Sequence, residues 1–377
     1  MCGIVGWIDW NRDLTRSSAL LETMTDSLKA RGPDARGVRL SANCALGHTR
    51  LCVIDPENGA QPMERRLGGE TYTIVYNGEI YNAAELREEL SRRGHEFRTM
   101  CDTEVVLVAF IEWGAASVER LNGIFAYGVW CDAAGRLFLA RDRLGVKPLF
   151  FAHKNGTFLF ASEPKAILLH PDFPAEIGAE GLAEIFAIGP ARTPGHGVYK
   201  HMRELKPGHR LLYDRGGMRI SAYWKLESRP HADSEERTAE TVRELLKDTV
   251  ERQLVADVPV CTLLSGGLDS SALTALAAGV FAREGRGPLH TFSVDYVDND
   301  KHFQASAFTP NPDGPWIRRM SGHLGTVHRE AVFDTPELVD SLERAVEARD
   351  FPGMADIDGS LYLFCKFVKR HATVAIS

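Results

Sequence analysis

The spacing of apolar residues changes near residue 230, and this change constrains the fold more than any other feature of the sequence. Before it, short apolar runs such as Ile4–Ile8, Thr71–Tyr76 and Ile124–Cys131 are separated by turn residues. After it, runs such as Val258–Leu264 alternate with longer helical patterns. The first arrangement is typical of helices packed on antiparallel sheets, and the second of a parallel sheet covered by helices.

Other segments follow the same two patterns. Strands are predicted over Leu137–Arg141, Thr157–Ala161 and His290–Val294, and helices over Ser18–Ala30, Ala83–Arg93, Arg237–Val255 and Ala272–Arg283. The polar, non-periodic stretch Glu227–Glu236 contains a proline and is typical of a linker. We therefore predict a first domain over residues 2–220, a linker over 221–236 and a second domain over 237–377.

Composition excludes several classes of function. The formal net charge of −7 over 377 residues disfavours nucleic-acid binding, and the lack of a long apolar run disfavours a membrane span. The seven cysteines are scattered without a C-x-x-C pair, which predicts reduced thiols in a cytoplasmic protein. Neither they nor the thirteen histidines are spaced for an intrinsic metal site.

Cys2 directly follows Met1, so removal of Met1 would make this cysteine the N-terminal residue. Such a cysteine combines a nucleophilic thiol with an α-amine whose ordinary pKa of about 8 lets it act as a base. A single cysteine is more often an apolar core residue, so this position alone leaves both interpretations open.

A second motif follows the apolar run Val258–Leu264. It reads Ser265-Gly266-Gly267-Leu268-Asp269-Ser270-Ser271 and leads into a helical pattern. A strand, a glycine turn and a helix present unpaired N–H groups and a helix dipole to an anion, although an ordinary serine-capped turn is the alternative. Because Asp269 would repel phosphate, the motif predicts Mg²⁺ bound together with a polyphosphate. It is not a Walker-type loop, since its sequence lacks G-x-x-x-x-G-K-[ST].

Together these motifs resemble those of glutamine-hydrolysing asparagine synthetases of the bacterial B type, along essentially the whole chain. The resemblance implies an α+β N-terminal-nucleophile hydrolase with an αββα sandwich, followed by an α/β parallel-sheet ATP-pyrophosphatase domain. It also implies a chain truncated at the C-terminus and an incomplete second domain, because Ser377 matches the first residue of the family motif S-G-E-x-x-D-E.

The resemblance implies a glutamine site in the first domain. Cys2 would be the nucleophile, and Asn77 with Gly78 would form the oxyanion hole. Arg50 would bind the substrate α-carboxylate through its planar fork, and Asp102 the α-ammonium. Further contacts are expected from Leu51, Cys52, Val53, Ile54 and Glu79. The family-like stretches Arg141–Leu149 and Ala161–Lys165 are expected to be mainly structural.

Three of these residues also have ordinary structural interpretations. Arg50 could be a surface arginine, and Asn77-Gly78 could be a type I′ hairpin turn. Asp102 could be the N-cap of a helix over Glu104–Trp113.

In the second domain, the resemblance implies an ATP site. It would comprise Leu264, Ser265, Gly266, Gly267, Leu268, Asp269, Ser270, Ser271, Val294 and Ser377. No intrinsic metal site is expected, and Asp269 would contact Mg²⁺ through bound pyrophosphate.

The activity implied is ATP-dependent synthesis of asparagine from aspartate, with ammonia released from glutamine. One alternative is amidation of another carboxylate, such as diaminopimelate in cell-wall precursors. Another is a truncated, non-synthetic glutaminase or glutamine binder. The expected partners are glutamine, ATP and aspartate or another acceptor, without nucleic acid or membrane, and a homodimer is left open.

Overall fold

The computed structural model describes residues 1–307 and 310–377, without the side chain of Asp356. The chain divides into two compact units, Met1–Ser228 and Arg229–Ser377. Among the described residues, no helix is both long enough and apolar enough to cross a bilayer.

The first unit contains two six-stranded antiparallel sheets and several helices. Its strands are β1 (Gly3–Asp9), β2 (Ala35–Leu40), β3 (Cys44–Arg50), β4 (Met63–Leu67), β5 (Glu70–Ile80), β6 (Gly123–Cys131), β7 (Arg136–Arg141), β8 (Phe150–Lys154), β9 (Thr157–Ala161), β10 (Met202–Glu204), β11 (His209–Asp214) and β12 (Gly217–Ala222). Its α-helices are α1 (Ser18–Asp26), α2 (Ala83–Arg92), α3 (Asp102–Trp113), α4 (Ser117–Arg120), α5 (Pro164–Leu168) and α6 (Ala179–Ala183).

The strand orders are β10-β8-β9-β1-β3-β2 in one sheet and β12-β11-β7-β6-β5-β4 in the other. Successive side chains of a strand point to opposite faces of its sheet. Neighbouring residues of β1 and of β5 therefore pack in different layers of the unit. Ile4 and Val75 pack together in the core between the sheets. Val5 contacts the core beneath α1, whereas Ile74 contacts the core beneath α2 and α3. The predicted αββα sandwich is confirmed.

The second unit contains a four-stranded sheet with the order β15-β14-β13-β16, and all its strand pairs are parallel. Its strands are β13 (Val260–Leu263), β14 (His290–Tyr296), β15 (Val327–Phe333) and β16 (Val374–Ile376). Its helices are α7 (Glu235–Gln253), α8 (Leu268–Glu284), α9 (Asn299–His302), α10 (Gly314–Leu324), α11 (Thr335–Arg349) and α12 (Ala355–Val368). The predicted parallel α/β class is confirmed.

The two units meet along the chain between β12 and α7. The strand ends at Ala222 and the helix begins at Glu235, so the predicted linker 221–236 overlaps each element by two residues. Ser234 caps α7 by accepting a hydrogen bond from the Arg237 amide at 3.3 Å. The assignment of the glutamine site to a domain over residues 2–220, and of the ATP site to a domain over residues 237–377, remains a prediction.

Candidate active site

Cys2 lies just before β1, and the chain around it is held from several sides. Its Sγ donates a hydrogen bond to the Leu51 carbonyl oxygen at 3.7 Å. Arg31 donates through Nε to the Cys2 carbonyl oxygen at 2.9 Å and through Nη1 to Glu163 at 2.7 Å. The Ile4 amide donates to the Ser162 hydroxyl at 3.0 Å. The stretch Ala161–Lys165, expected to be mainly structural, therefore anchors the start of β1.

Burial controls the titration of both groups at this end of the chain. It raises the pKa of the Cys2 thiol above its ordinary value, and it lowers the pKa of the Met1 α-amine to about 5. The Met1 amine is therefore neutral near pH 7.

Asn77 and Gly78 lie within β5, opposite Ala126 and Phe125 of β6. The hairpin-turn alternative is therefore wrong, because these residues belong to the continuous strand pair. The Asn77 side chain is buried, and its Nδ2 has no hydrogen-bond partner among the described residues. Leaving a buried donor unpaired costs about 1–3 kcal/mol. A bound acceptor that accepts a hydrogen bond from the Asn77 amide would remove this cost.

Gly78 has a packing reason for its lack of a side chain. A Cβ at this position would lie 2.5 Å from the Ile124 carbonyl oxygen and 2.7 Å from the Phe125 Cβ. Both atoms belong to or adjoin the backbone of the neighbouring strand, which cannot move aside cheaply.

Arg50 ends β3 and is 6% exposed, so the surface-arginine alternative is wrong. Its Nη1 donates to the Pro56 carbonyl oxygen at 2.8 Å. Its Nη2 donates to the carbonyl oxygens of Asp55 at 2.6 Å and Ile54 at 3.1 Å. The fork therefore holds the loop after β3, and its contact with a substrate carboxylate stays a prediction.

That loop begins with the other residues expected to contact glutamine, which are half-buried: Leu51, Cys52, Val53 and Ile54. The Cys52 amide donates to the Asp34 carboxylate at 2.8 Å. The structure thus brings the Leu51 carbonyl oxygen to the Cys2 thiol.

Asp102 is the first residue of α3, and its N-cap is Cys101, so the N-cap alternative is wrong. The buried Asp102 carboxylate points toward β5, where its Oδ2 accepts from the Tyr76 hydroxyl at 2.7 Å and the Ile80 amide at 3.1 Å. Burial raises the pKa of Asp102, and the hydrogen bond from Tyr76 opposes that rise.

Lys147 is a charged residue near this site that sequence reasoning assigned to a structural stretch. Its amide donates to Asp142 at 2.9 Å, and its carbonyl oxygen accepts from Arg141 Nε at 2.8 Å. Burial lowers the pKa of Lys147 and raises that of Glu79, and the opposite charge of each residue counteracts the shift of the other. The Cys2 thiolate charge also favours the charged form of Lys147 and so opposes the lowering of its pKa. The sequence signal for this residue was its place in the family-like stretch Arg141–Leu149.

In the second unit, the predicted phosphate loop connects β13 to α8. Leu264 is buried, Gly266 has a φ of +80°, and Gly267 is the N-cap of α8. The Ser265 and Ser270 hydroxyls lie 3.0 Å apart, and the Ser265 amide donates to Ser270 Oγ at 3.2 Å. The serine side chains therefore stabilise the turn itself.

The parallel sheet gathers the remaining expected ATP residues at one edge. Thr262 of β13 pairs with Ile376 of β16, so Ser377 follows at the carboxyl end. Val294 lies toward the carboxyl end of β14, which borders β13 on its other side. Ligands of open parallel sheets bind at this edge.

The donor atoms of the loop suit Mg²⁺ carried by phosphates better than a metal held by protein alone. Among the described residues, no group of three or more His, Cys, Asp or Glu side chains is arranged to hold a metal ion. Asp269 is exposed in the first turn of α8 and offers a carboxylate oxygen, which is the ligand type that Mg²⁺ prefers.

Family models identify both parts of the chain. Residues 1–224 match the model described as a glutamine amidotransferase domain. The chain belongs to this family. Residues 241–377 match a second model, described as asparagine synthase. These matches confirm the resemblance to glutamine-hydrolysing asparagine synthetases.

Several curated relatives carry both parts. Asparagine synthetase 3 (glutamine-hydrolyzing) of Bacillus subtilis (strain 168) is 52% identical over 100% of this chain and 61% of its own length. Asparagine synthetase 1 (glutamine-hydrolyzing) of the same organism is 31% identical over 100% and 57%, respectively. Asparagine synthetase B (glutamine-hydrolyzing) of Escherichia coli (strain K12) is 28% identical over 98% and 61%. The chain spans about three fifths of the length of these relatives.

Proposed function

We propose that this chain hydrolyses glutamine with Cys2 and serves ATP-dependent synthesis of asparagine from aspartate. The buried, unpartnered Nδ2 of Asn77 is the observation that carries the proposal. It lies on β5 two residues before Glu79, whose charge reaches the N-terminal amine beside Cys2. A buried donor without a protein acceptor is the kind of group that stabilises the oxyanion of acyl transfer.

The proposed reaction starts after removal of Met1. The Cys2 α-amine accepts the thiol proton, and Sγ attacks the side-chain carboxamide carbon of glutamine. The Asn77 amide and the Gly78 N–H donate to the oxyanion, ammonia leaves with the transferred proton, and a thioester forms. Water then attacks the thioester, which releases glutamate and restores the thiol.

The α-groups of glutamine would be recognised by charge. Asp102 would accept the α-ammonium, and Arg50 would bind the α-carboxylate once the loop after β3 yields part of the guanidinium fork. Leu51, Cys52, Val53, Ile54 and Glu79 would complete the glutamine site.

In the second unit, ATP would bind at the carboxyl edge of the sheet. The loop Ser265–Ser271 would hold phosphate at the N-terminus of α8, with Leu264, Val294 and Ser377 around the nucleotide. Mg²⁺ would be held by the phosphates and Asp269, where it would neutralise the charge of the leaving pyrophosphate. The names of the relatives favour aspartate over diaminopimelate as the acceptor.

The cellular setting is part of the proposal. All seven cysteines are free, which supports a reducing compartment such as the cytoplasm. The homodimer considered from the sequence stays a prediction.

Glutamine hydrolysis by the purified chain tests the first half. We expect Cys2→Ala to abolish glutamate release, and Asn77→Ala to lower kcat by about 10²–10³ with little change in KM. Cys365→Ala, which removes an exposed cysteine of the second unit, is the matched control and should behave like wild type. Intact mass establishes whether Met1 has been removed. A folded, processed wild type without activity, or an active Cys2→Ala, would refute the proposal.

Exchange of labelled pyrophosphate into ATP tests the second half. With Mg²⁺ present, we expect exchange that depends on aspartate and does not occur with diaminopimelate. Exchange that occurs only with diaminopimelate would show that diaminopimelate, not aspartate, is the acceptor. Exchange with neither compound would contradict adenylation by this chain.

A further inference from the structure

The Asp102 carboxylate accepts a short hydrogen bond from the hydroxyl of Tyr76. Its Oδ2 receives the Tyr76 hydroxyl at 2.7 Å and the Ile80 amide at 3.1 Å, while its Oδ1 faces the Cys101 thiol at 3.7 Å. Asp102 is only 6% exposed. A buried carboxylate needs donors to stay ionised, and a hydroxyl at this distance is a strong one.

Tyr76 is itself fixed by bonds to its backbone. Its amide donates to Gln61 Oε1 at 2.7 Å, and its carbonyl oxygen is 3.1 Å from His48 Nε2. Gln61 also donates through Nε2 to the Thr103 hydroxyl at 3.2 Å. Gln61 therefore ties β5 to the first turn of α3, and the distance between the Tyr76 hydroxyl and Asp102 is set by both elements.

We propose that Tyr76 is a positioning residue for glutamine hydrolysis, because its hydroxyl orients Asp102 and keeps it ionised to receive the substrate α-ammonium. This inference rests on the proposed function. Tyr76 makes no bond to the reacting atoms; it acts through Asp102. The bonds from Tyr76 and Ile80 both go to Oδ2, whereas Oδ1 accepts the longer contact from the Cys101 thiol.

Other titratable groups surround this pair. Cys101 adjoins Asp102 in sequence, and the Asp102 charge acts on Cys2 and on Glu79. The Arg50 charge acts on Cys101. Burial raises the pKa of Asp102 and the Tyr76 hydroxyl lowers it, so loss of the hydroxyl raises that pKa further. The ionised form would then be lost at a higher pH during acidification.

The test is Tyr76→Phe, with Tyr127→Phe as the matched control. Tyr127 lies directly opposite Tyr76 on β6 and is buried, and Ser117 is the side chain that acts on its hydroxyl. We expect Tyr76→Phe to raise KM for glutamine about tenfold or more, with kcat changed less. The acid limb of kcat/KM should move to higher pH. Tyr127→Phe should show neither effect, and a Tyr76→Phe protein with the KM and pH profile of wild type overturns the inference.

Asp102→Asn is a second single variant, and it is also combined with Tyr76→Phe in a double variant. If Tyr76 acts through Asp102, the double variant should match the KM of Asp102→Asn within about threefold, because the hydroxyl has no carboxylate left to support. A further large rise in KM would overturn the positioning role. A wild type inactive on glutamine marks failure of the proposed function, which is distinct from an active wild type with unaffected variants.

Discussion

At the scale of single residues, the first unit is marked by polar side chains placed in its interior. His48, Asn77 and Asp102 are all nearly inaccessible, at 1%, 1% and 6% exposure. Their sequence positions show nothing of this burial, because histidine, asparagine and aspartate are ordinary surface residues. Burial gives each a specific property: a neutral imidazole, an unpaired amide and a carboxylate whose pKa is raised.

His48 predicts a pH dependence of stability. Burial lowers its pKa from 6.5 to about 4, and its Nε2 lies 3.1 Å from the Tyr76 carbonyl oxygen. Below pH 6.5 the unfolded chain binds a proton that the folded chain refuses, so stability falls as the pH drops from 6.5 toward 4. The full loss from this residue is about 3 kcal/mol.

Urea unfolding of the first unit at about pH 7 and about pH 5 measures this effect. His48→Gln should flatten the difference between the two conditions, whereas His153→Gln, at an exposed position, should retain it. An unchanged pH dependence in His48→Gln would show that other groups cause it.

At the scale of elements, the turn between β13 and α8 depends on one glycine more than on its neighbour. Gly266 has a φ of +80°, and a Cβ there would lie 3.0 Å from the Asp313 carbonyl oxygen and 3.1 Å from the Trp316 Cβ. Gly267 has a φ of −71°, and its nearest atom would be Ser265 Oγ at 3.5 Å. Sequence alone assigns both glycines to one motif and does not rank them.

We therefore predict graded effects of alanine on Mg-ATP binding. Gly266→Ala should weaken binding severely, because the left-handed backbone and the close contact both oppose a side chain. Gly267→Ala should be milder. Gly279→Ala, inside α8 with open space around it, is the control and should stabilise the helix by up to about 1 kcal/mol. Calorimetric titration with Mg-ATP measures the order, and equal losses in the two loop variants would contradict it.

At the scale of the whole molecule, the chain consists of two units with separate apolar cores. All residues expected to bind glutamine lie in the first unit, and all those expected to bind ATP lie in the second. Between Ala222 and Glu235 the described backbone is neither helix nor strand, and residues 225–234 are exposed.

Limited trypsin digestion tests the independence of the first unit. We expect an early cut after Lys225, because this residue lies in the exposed segment between β12 and α7. The N-terminal fragment should retain glutamine hydrolysis. Lys225→Gln should slow this cut as a control, whereas Arg229→Gln should not, because Pro230 already blocks cleavage after Arg229. First cuts within the sheets, or a fragment that precipitates without activity, would contradict the prediction.

The sequence alone predicted most elements and both fold classes, because apolar periodicity follows from which face of an element is buried. It placed β1, β7, β9 and α2 within one residue of their observed bounds, whereas β5 ends and α8 begins four residues beyond the predicted runs. Sequence also pointed to Cys2 and to the loop Ser265–Ser271, since their chemistry is carried by residue type and local order.

Only the tertiary structure decided how the candidate site is built. Asn77-Gly78 became the interior of a strand and not a turn, because β6 pairs with β5 throughout that stretch. Asp102 became a partner of Tyr76 and not a helix cap, because α3 packs on β5. Such contacts join residues distant in sequence, and their burial and hydrogen-bond partners exist only after the sheets and helices have packed together.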